Sequence, residues 1–104
     1  MASPRDLKKS VKEQDAILQQ LRDEAFRKLA RGEYKNAVED FTAILGIVPK
    51  DEEAWYGMGE AFEKLGRKKA AEERFEKALT LAEIAGNELI ISYAQEGLAR
   101  LRRR

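Results

Sequence analysis

The chain contains no cysteine and no histidine, and only two prolines, in 104 residues. Without cysteine, neither a disulfide nor a thiolate metal site can form. Without histidine, the commonest proton shuttle and metal ligand is missing. No glycine-rich phosphate loop is present. Serine occurs only as Ser3, Ser10 and Ser92, none beside an obvious base. The consecutive pairs Glu52-Glu53 and Glu72-Glu73 would point about 100° apart on a helix. They cannot converge unaided as a general acid and base. An enzyme is therefore the least supported class, and neither a cofactor nor a metal is expected. No apolar run at either end reaches the length of a signal peptide or a membrane span. A soluble intracellular protein, cytoplasmic by default, is the expectation.

What the chain has in quantity is charge, at 38% of residues, yet the net charge is only +1. Such a balance gives no strong overall attraction to nucleic acid or to a membrane. Arg5, Lys8, Lys9 and Lys12 cluster near the start, and Arg100, Arg102, Arg103 and Arg104 at the end. Phosphate neutralisation by these groups is conceivable, but no stacking aromatics are interleaved with them. Solvated termini, with positive charge favourably placed near a helix C-terminus, are the preferred reading. Abundant Lys, Arg, Glu, Ala and Leu suit long helices with solvated outer faces.

Five helices are expected, at about 4–31, 34–47, 51–65, 68–84 and 88–102. Ser3-Pro4-Arg5-Asp6 fits a helix start, and Ser10-Val11-Lys12-Glu13 fits a capping box. Leu7, Val11, Leu18, Leu21, Ala25 and Leu29 follow at spacings of four and three, with Gln14 filling the gap. Ala37, Phe41, Ile44, Leu45 and Ile47 form the apolar face of the second helix, closed by Pro49. Gly86-Asn87 breaks the chain before Leu89, Ile90, Tyr93, Ala94, Leu98 and Leu101 mark the last helix.

At an offset of 34 residues the middle of the chain repeats itself. Leu21 falls on Trp55, Ala25 on Gly59, Gly32 on Gly66, Ala37 on Ala71, Phe41 on Phe75 and Ile44 on Ala78. The block Trp55–Leu79 carries an aromatic, then Met58-Gly59, Phe62, Ala71, Phe75 and Ala78. It resembles the tetratricopeptide repeat, a helix–turn–helix unit of 34 residues with the signature W-x2-L-G-x2-Y, then A-x3-F. Leu21, Glu24 and Lys28 depart from that pattern in the first unit, as suits an end unit. Glu83 stands where a closing proline is usual. At the same offset Tyr93 falls on Gly59, a poor match, so the last helix reads as a terminal cap with Ser92, Gln95, Glu96 and Arg100 outward.

The resemblance implies an all-α fold: two stacked helix–turn–helix units forming a short α-solenoid. A helical extension would span 1–17, the repeats 18–51 and 52–85, and a capping helix 86–104. Each unit has an apolar face that it cannot bury alone, so stacking is obligatory. Trp55, Phe41 and Phe75 are expected to fill the space between the helices of a unit.

The resemblance further implies a non-enzymatic scaffold that holds a partner peptide or helix on its concave side, lined by the first helix of each unit. The residues so placed are Gln19, Arg22, Phe26 and Leu29, then Glu53, Tyr56, Glu60 and Glu63, with Ile90, Ala94 and Gly97 from the last helix. Arg22, Phe26, Tyr56, Glu60 and Glu63 are the chosen partner-binding set. An acidic stripe with flat aromatic handles would favour a basic, amphipathic protein segment; alternatively these Glu residues are ordinary solvated surface. The tetratricopeptide clamp for a chaperone's C-terminal carboxylate is excluded. Only Arg22 suits that pattern, while Phe26, Gly57, Ile90 and Ala94 occupy its other positions. A rival reading is self-assembly through the N-terminal helix or by stacking of repeats. The stripe Leu7, Val11 and Leu18 either overhangs the slab and pairs, or folds back over the first unit.

Overall fold

The computed structural model describes the backbone of residues 4–103 and the side chains from Glu13 to Arg103. Five α-helices follow one another: α1 (Pro4–Ala30), α2 (Tyr34–Ile47), α3 (Glu52–Lys64), α4 (Lys68–Ala85) and α5 (Glu88–Arg102). They match the expected elements to within two residues at every end. Ser3 as N-cap, the side chains of Leu7 and Val11, the first basic cluster and Arg104 lie outside the described residues.

The ends of the helices have local causes. Gly32 and Gly66 sit at φ 83° and 78°, a left-handed geometry that glycine adopts without a Cβ clash. They close the α1–α2 and α3–α4 hairpins 34 residues apart. Val48, held extended before Pro49, leaves α2. Asp51 and Asn87 start α3 and α5 by accepting the backbone N–H groups of Ala54 and Ile90 at 3.1 and 3.3 Å.

Successive helices pack as antiparallel neighbours, and α1 also touches α3, as α3 touches α5, whereas α2 and α4 do not meet. The odd-numbered helices therefore form a close inner row, and α2 and α4 a splayed outer row. Curvature follows, with the inner row on the concave side.

Phe41 and Phe75 are fully buried, as are Ala37, Ala71, Ile44 and Ala78. Each ring seats on glycine. A Cβ at Gly57 would overlap the Phe41 ring, and one at Gly97 would lie 2.8 Å from Phe75 Cε2. Gly59 meets the same Phe75 ring from α3. Phe41 thus joins the first hairpin to α3, and Phe75 joins the second hairpin to α5. Ala54, Met58 and Ala61 of α3 complete the core of the first hairpin, which would otherwise stand open to water.

Several side chains depart from expectation. Ile47, expected on the buried face of α2, is 62% exposed. It occupies the last turn, where Gln14, Ile17 and Leu18 of α1 border a shallow cleft beside it without closing over it. Trp55 is only half-buried, beside Ala78, Ala82, Ile90 and Ala94. Its indole N–H donates to the Pro49 carbonyl at 2.8 Å, so its polar edge stays at the rim.

The last helix obeys a different register. Ala94, Gly97 and Leu98 stand 40 residues after Ala54, Gly57 and Met58, and all six are buried. α4 is four residues longer than α2 and the connection after it two shorter, so α5 starts 36 residues after α3; the small residues then stand about one turn further into α5, and an offset of 34 missed them. α5 packs as the first helix of a further unit would. Where Trp55 and Phe62 face α4, however, α5 carries Gln95 and Arg102. Those polar replacements leave α5 without the two aromatics that α3 turns toward α4.

The glycine seats make a test. Gly57→Ala is expected to lower stability by about 1–3 kcal/mol through overpacking. Gly46→Ala, where a Cβ meets nothing within 4 Å, should raise it by about 0.5–1 kcal/mol through helix propensity. Urea midpoints of the two variants would be compared with the parent.

Candidate partner-binding face

The inner face is built from one stripe each of α1, α3 and α5. On α3, helical spacing sets Glu53, Tyr56, Glu60 and Glu63 in a row. α1 supplies Arg22 and Phe26 on one flank. α5 supplies Tyr93 and Arg100 on the other. The structure thus brings all five chosen residues to this side, in different states.

Arg22 is committed to the fold. Its Nε donates to Asp51 Oδ2 at 2.6 Å, with the Asp51 side chain 3% exposed. Asp51 also caps α3, so one carboxylate joins the start of α3 to the flank of α1. At the next junction Asn87, which caps α5, donates to Glu52 Oε1 at 3.0 Å. The inner row is stitched by its own capping residues. Arg22 Nη1 reaches Gln19 Oε1 at 3.2 Å.

Phe26 is half-buried, its ring set edge-on to Phe41 at 4.9 Å. It borders a cleft of about 370 Å³ with Leu29, Ala30, Tyr34, Glu60 and Lys64. Beyond Glu60 a second cleft, about 510 Å³, is lined by Tyr56, Glu60, Glu63, Lys64 and Arg100. Glu60 and Lys64, one turn apart, form the ridge between the clefts.

Tyr56 lies between two rings, 5.7 Å from Phe75 and stacked at 5.7 Å on Tyr93. Burial pushes its hydroxyl pKa well above the ordinary tyrosine value, and the Glu60 carboxylate adds to the effect. The neutral phenol is held across the whole neutral range. Glu63 is already paired, accepting from Arg100 Nη2 at 2.9 Å and from Nε at 3.2 Å. Glu53, close to Arg22 and Asp51, has its carboxyl pKa raised, chiefly by burial. Glu60 has no ion-pair partner among the described residues.

The stripe is consequently less acidic than its sequence suggests. Arg100 neutralises Glu63, and Lys64 stands beside Glu60. The α5 candidates need correction. Ile90 and Ala94 are 5% and 0% exposed, and Gly97 lies beneath Phe75; all three are core. Leu29, at 8% exposure, is also mostly core. Tyr93, stacked on Tyr56, and Arg100, paired with Glu63, are the side of α5 turned to this region; Arg100, expected to point outward, instead faces α3. Tyr34, Lys64, Tyr93 and Arg100 belong to the face and were not among the chosen residues. Lys64 was legible at four residues after Glu60; Arg100 needed the 40-residue register, which sets it on Glu60.

No His/Cys/Asp/Glu group able to hold a metal occurs among the described residues. No described helix is long and apolar enough to cross a membrane.

A curved stack of antiparallel helix pairs with small residues at every crossing defines an α-solenoid of the helical-hairpin class. A family model, "Tetratricopeptide repeat", matches residues 28–82, and the chain belongs to the tetratricopeptide repeat family. No curated protein and no solved structure matches it significantly. Repeats of this family generally mediate protein–protein interaction.

Two measurements test the site's electrostatics. Asp51→Ala removes the cap and strands Arg22, an expected loss of about 2–4 kcal/mol. Asp51→Asn keeps a good cap, so it should be milder by about 1 kcal/mol. The raised Tyr56 pKa has a definite sign. Above pH 10, about the free tyrosine value, the unfolded chain loses a proton that the folded chain keeps. Stability is intact below that pH and falls as pH rises beyond it. Tyr56→Phe should flatten this alkaline decline in urea midpoints measured between pH 9 and 11.

Proposed function

We propose that this protein is a non-enzymatic interaction scaffold that binds an amphipathic segment of a partner protein along its inner face. The observation that carries this reading is the pair of clefts on either side of Glu60, walled by Phe26 and Tyr34 on one side and Tyr56 on the other. Half-buried aromatics offer area that can be desolvated at low entropic cost. Glu60, without an ion-pair partner among the described residues, offers charge where the clefts meet.

The segment expected has apolar anchors for the Phe26 and Tyr56 clefts and one Lys or Arg opposite Glu60. A broadly basic segment is a poorer fit, since Lys64 and Arg100 line the same clefts. Arg22 and Glu63 border the site. Their pairing with Asp51 and Arg100 means that their part is to fix its edges.

The test is selection of helical peptides from a displayed library against the folded chain. Phe26→Ala and Glu60→Lys should each weaken the selected peptides by about tenfold or more, as hot-spot truncations do. Helicity by circular dichroism should stay unchanged. Peptides that bind both variants as tightly as the parent would place recognition elsewhere and end this reading.

A further inference from the structure

The end of the slab where α1, α3 and α5 finish and α2 and α4 begin is basic. Lys35, Lys64, Arg67, Lys68, Lys69 and Arg103 stand there, all exposed. None has an ion-pair partner among the described residues. Close to them in sequence, Glu33, Glu63 and Glu72 are each taken by an arginine. Glu39 and Glu60, without ion-pair partners, are a turn further in. Helix electrostatics accounts for only part of this. Cations that finish α1, α3 and α5 sit favourably at helix C-termini. Lys35, Lys68 and Lys69 sit instead in the first turns of α2 and α4, where positive charge opposes the helix dipole. Those turns hold no carboxylate and no side-chain cap. α3 and α5, which begin at the opposite end, carry Glu52, Glu53 and Glu88 in their first turns. Helix stability therefore gives no reason for the three lysines.

A cleft leads to them from the inner face. The cleft bordered by Phe26 runs between α1 and α3 as far as Tyr34 and Lys64. Tyr34 also walls a further cleft of about 390 Å³, with Gly32, Glu33, Lys35, Asn36 and Leu65. This second cleft lies between the α1–α2 turn and the α3–α4 turn, and the latter carries Arg67 and Lys68. We infer that the turn end of the slab docks an acidic stretch of the same partner segment that occupies the inner face. The inference rests on the reading given above and extends it. The partner is bipolar: apolar anchors and one cation over Glu60, then Asp or Glu beyond Tyr34, facing Lys35, Arg67 and Lys68. The surface itself favours protein over other anions. The large exposed apolar side chains among the described residues, such as Ile47, Ile84 and Leu89, lie away from this end, so nothing here would enter a bilayer. A nucleic acid carries a charge on every phosphate and would be set against Glu33, Glu39 and Glu60 as well as the lysines. A peptide can place its few carboxylates between them.

The test uses the helical peptides selected as above, resynthesised with a short run of Glu, Ser or Lys at either end and read by fluorescence anisotropy. At one end the Glu run should tighten binding to the parent chain by about tenfold. The Ser and Lys runs should not, and the gain should shrink in high salt, which screens exposed charge. Lys35→Glu with Lys68→Glu should abolish the gain and leave the peptide without the run bound as before. The same pair should keep or raise the thermal midpoint, because acid replaces base at two helix N-termini. A Glu run that gains nothing at either end, or whose gain survives both changes, overturns the inference while the inner-face reading stands. Unextended peptides that ignore Phe26→Ala end the inner-face reading, and this inference with it. A DNA duplex, or vesicles containing anionic lipid, that bind the parent more tightly than the extended peptide and are lost on the same variants also overturn it.

Discussion

The structure depends on two phenylalanine rings resting on glycine. Phe41 and Phe75 are fully buried, and each fills a volume that exists because Gly57, Gly59 or Gly97 has no side chain there. A large ring against a small residue lets helix backbones approach closely while keeping the interior dense. Neither ring belongs to one hairpin alone. Phe41 reaches across to α3 and Phe75 to α5, so each hairpin is completed by its successor. The stacking required of an apolar face that cannot be buried locally is therefore concentrated in two contacts.

Polar contacts at one edge reinforce that stack. Asp51 caps α3 and holds Arg22 of α1; Asn87 caps α5 and bonds Glu52 of α3. A residue that starts one helix also ties it to the preceding helix of the inner row. Local helix initiation and long-range packing are thus satisfied by the same side chains, the kind of consistency between levels that gives a single native arrangement. These ties also decide what the inner face can offer. Arg22 is spent inside the protein, while Glu60 has no ion-pair partner among the described residues.

Most of the architecture was legible in the sequence because its cues are short-range. Glycine exits, a Pro stop, capping residues and the 34-residue echo of Ala37 and Phe41 in Ala71 and Phe75 each act within a few turns. The register of α5 was not legible by the same ruler. α4 is longer than α2 and the connection after it shorter, and the pattern of small residues also sits about one turn deeper in α5 than in α3. Ile47 is apolar and in phase with its helix, yet exposed, since phase says which face a residue lies on and not whether a neighbour reaches that far. The candidate face divided along similar lines. Phe26, Tyr56 and Glu60 could be placed on one face from the resemblance to the repeat, which says that the first helix of each unit lines it; that Arg22 and Glu63 are engaged by Asp51 and Arg100 could not, because those partners sit 29 and 37 residues away.

The separation of α2 from α4 has a mechanical consequence. The two outer helices do not touch, so nothing on the convex side resists a change of curvature until they meet. Rocking of the first hairpin about α3 is opposed mainly by the Phe41 contact and the Asp51 tie, both close to the pivot, where leverage is small. Bending that draws α2 and α4 together therefore meets no contact between them at the outset, while the packing of α2 on α3 is what it must slide against.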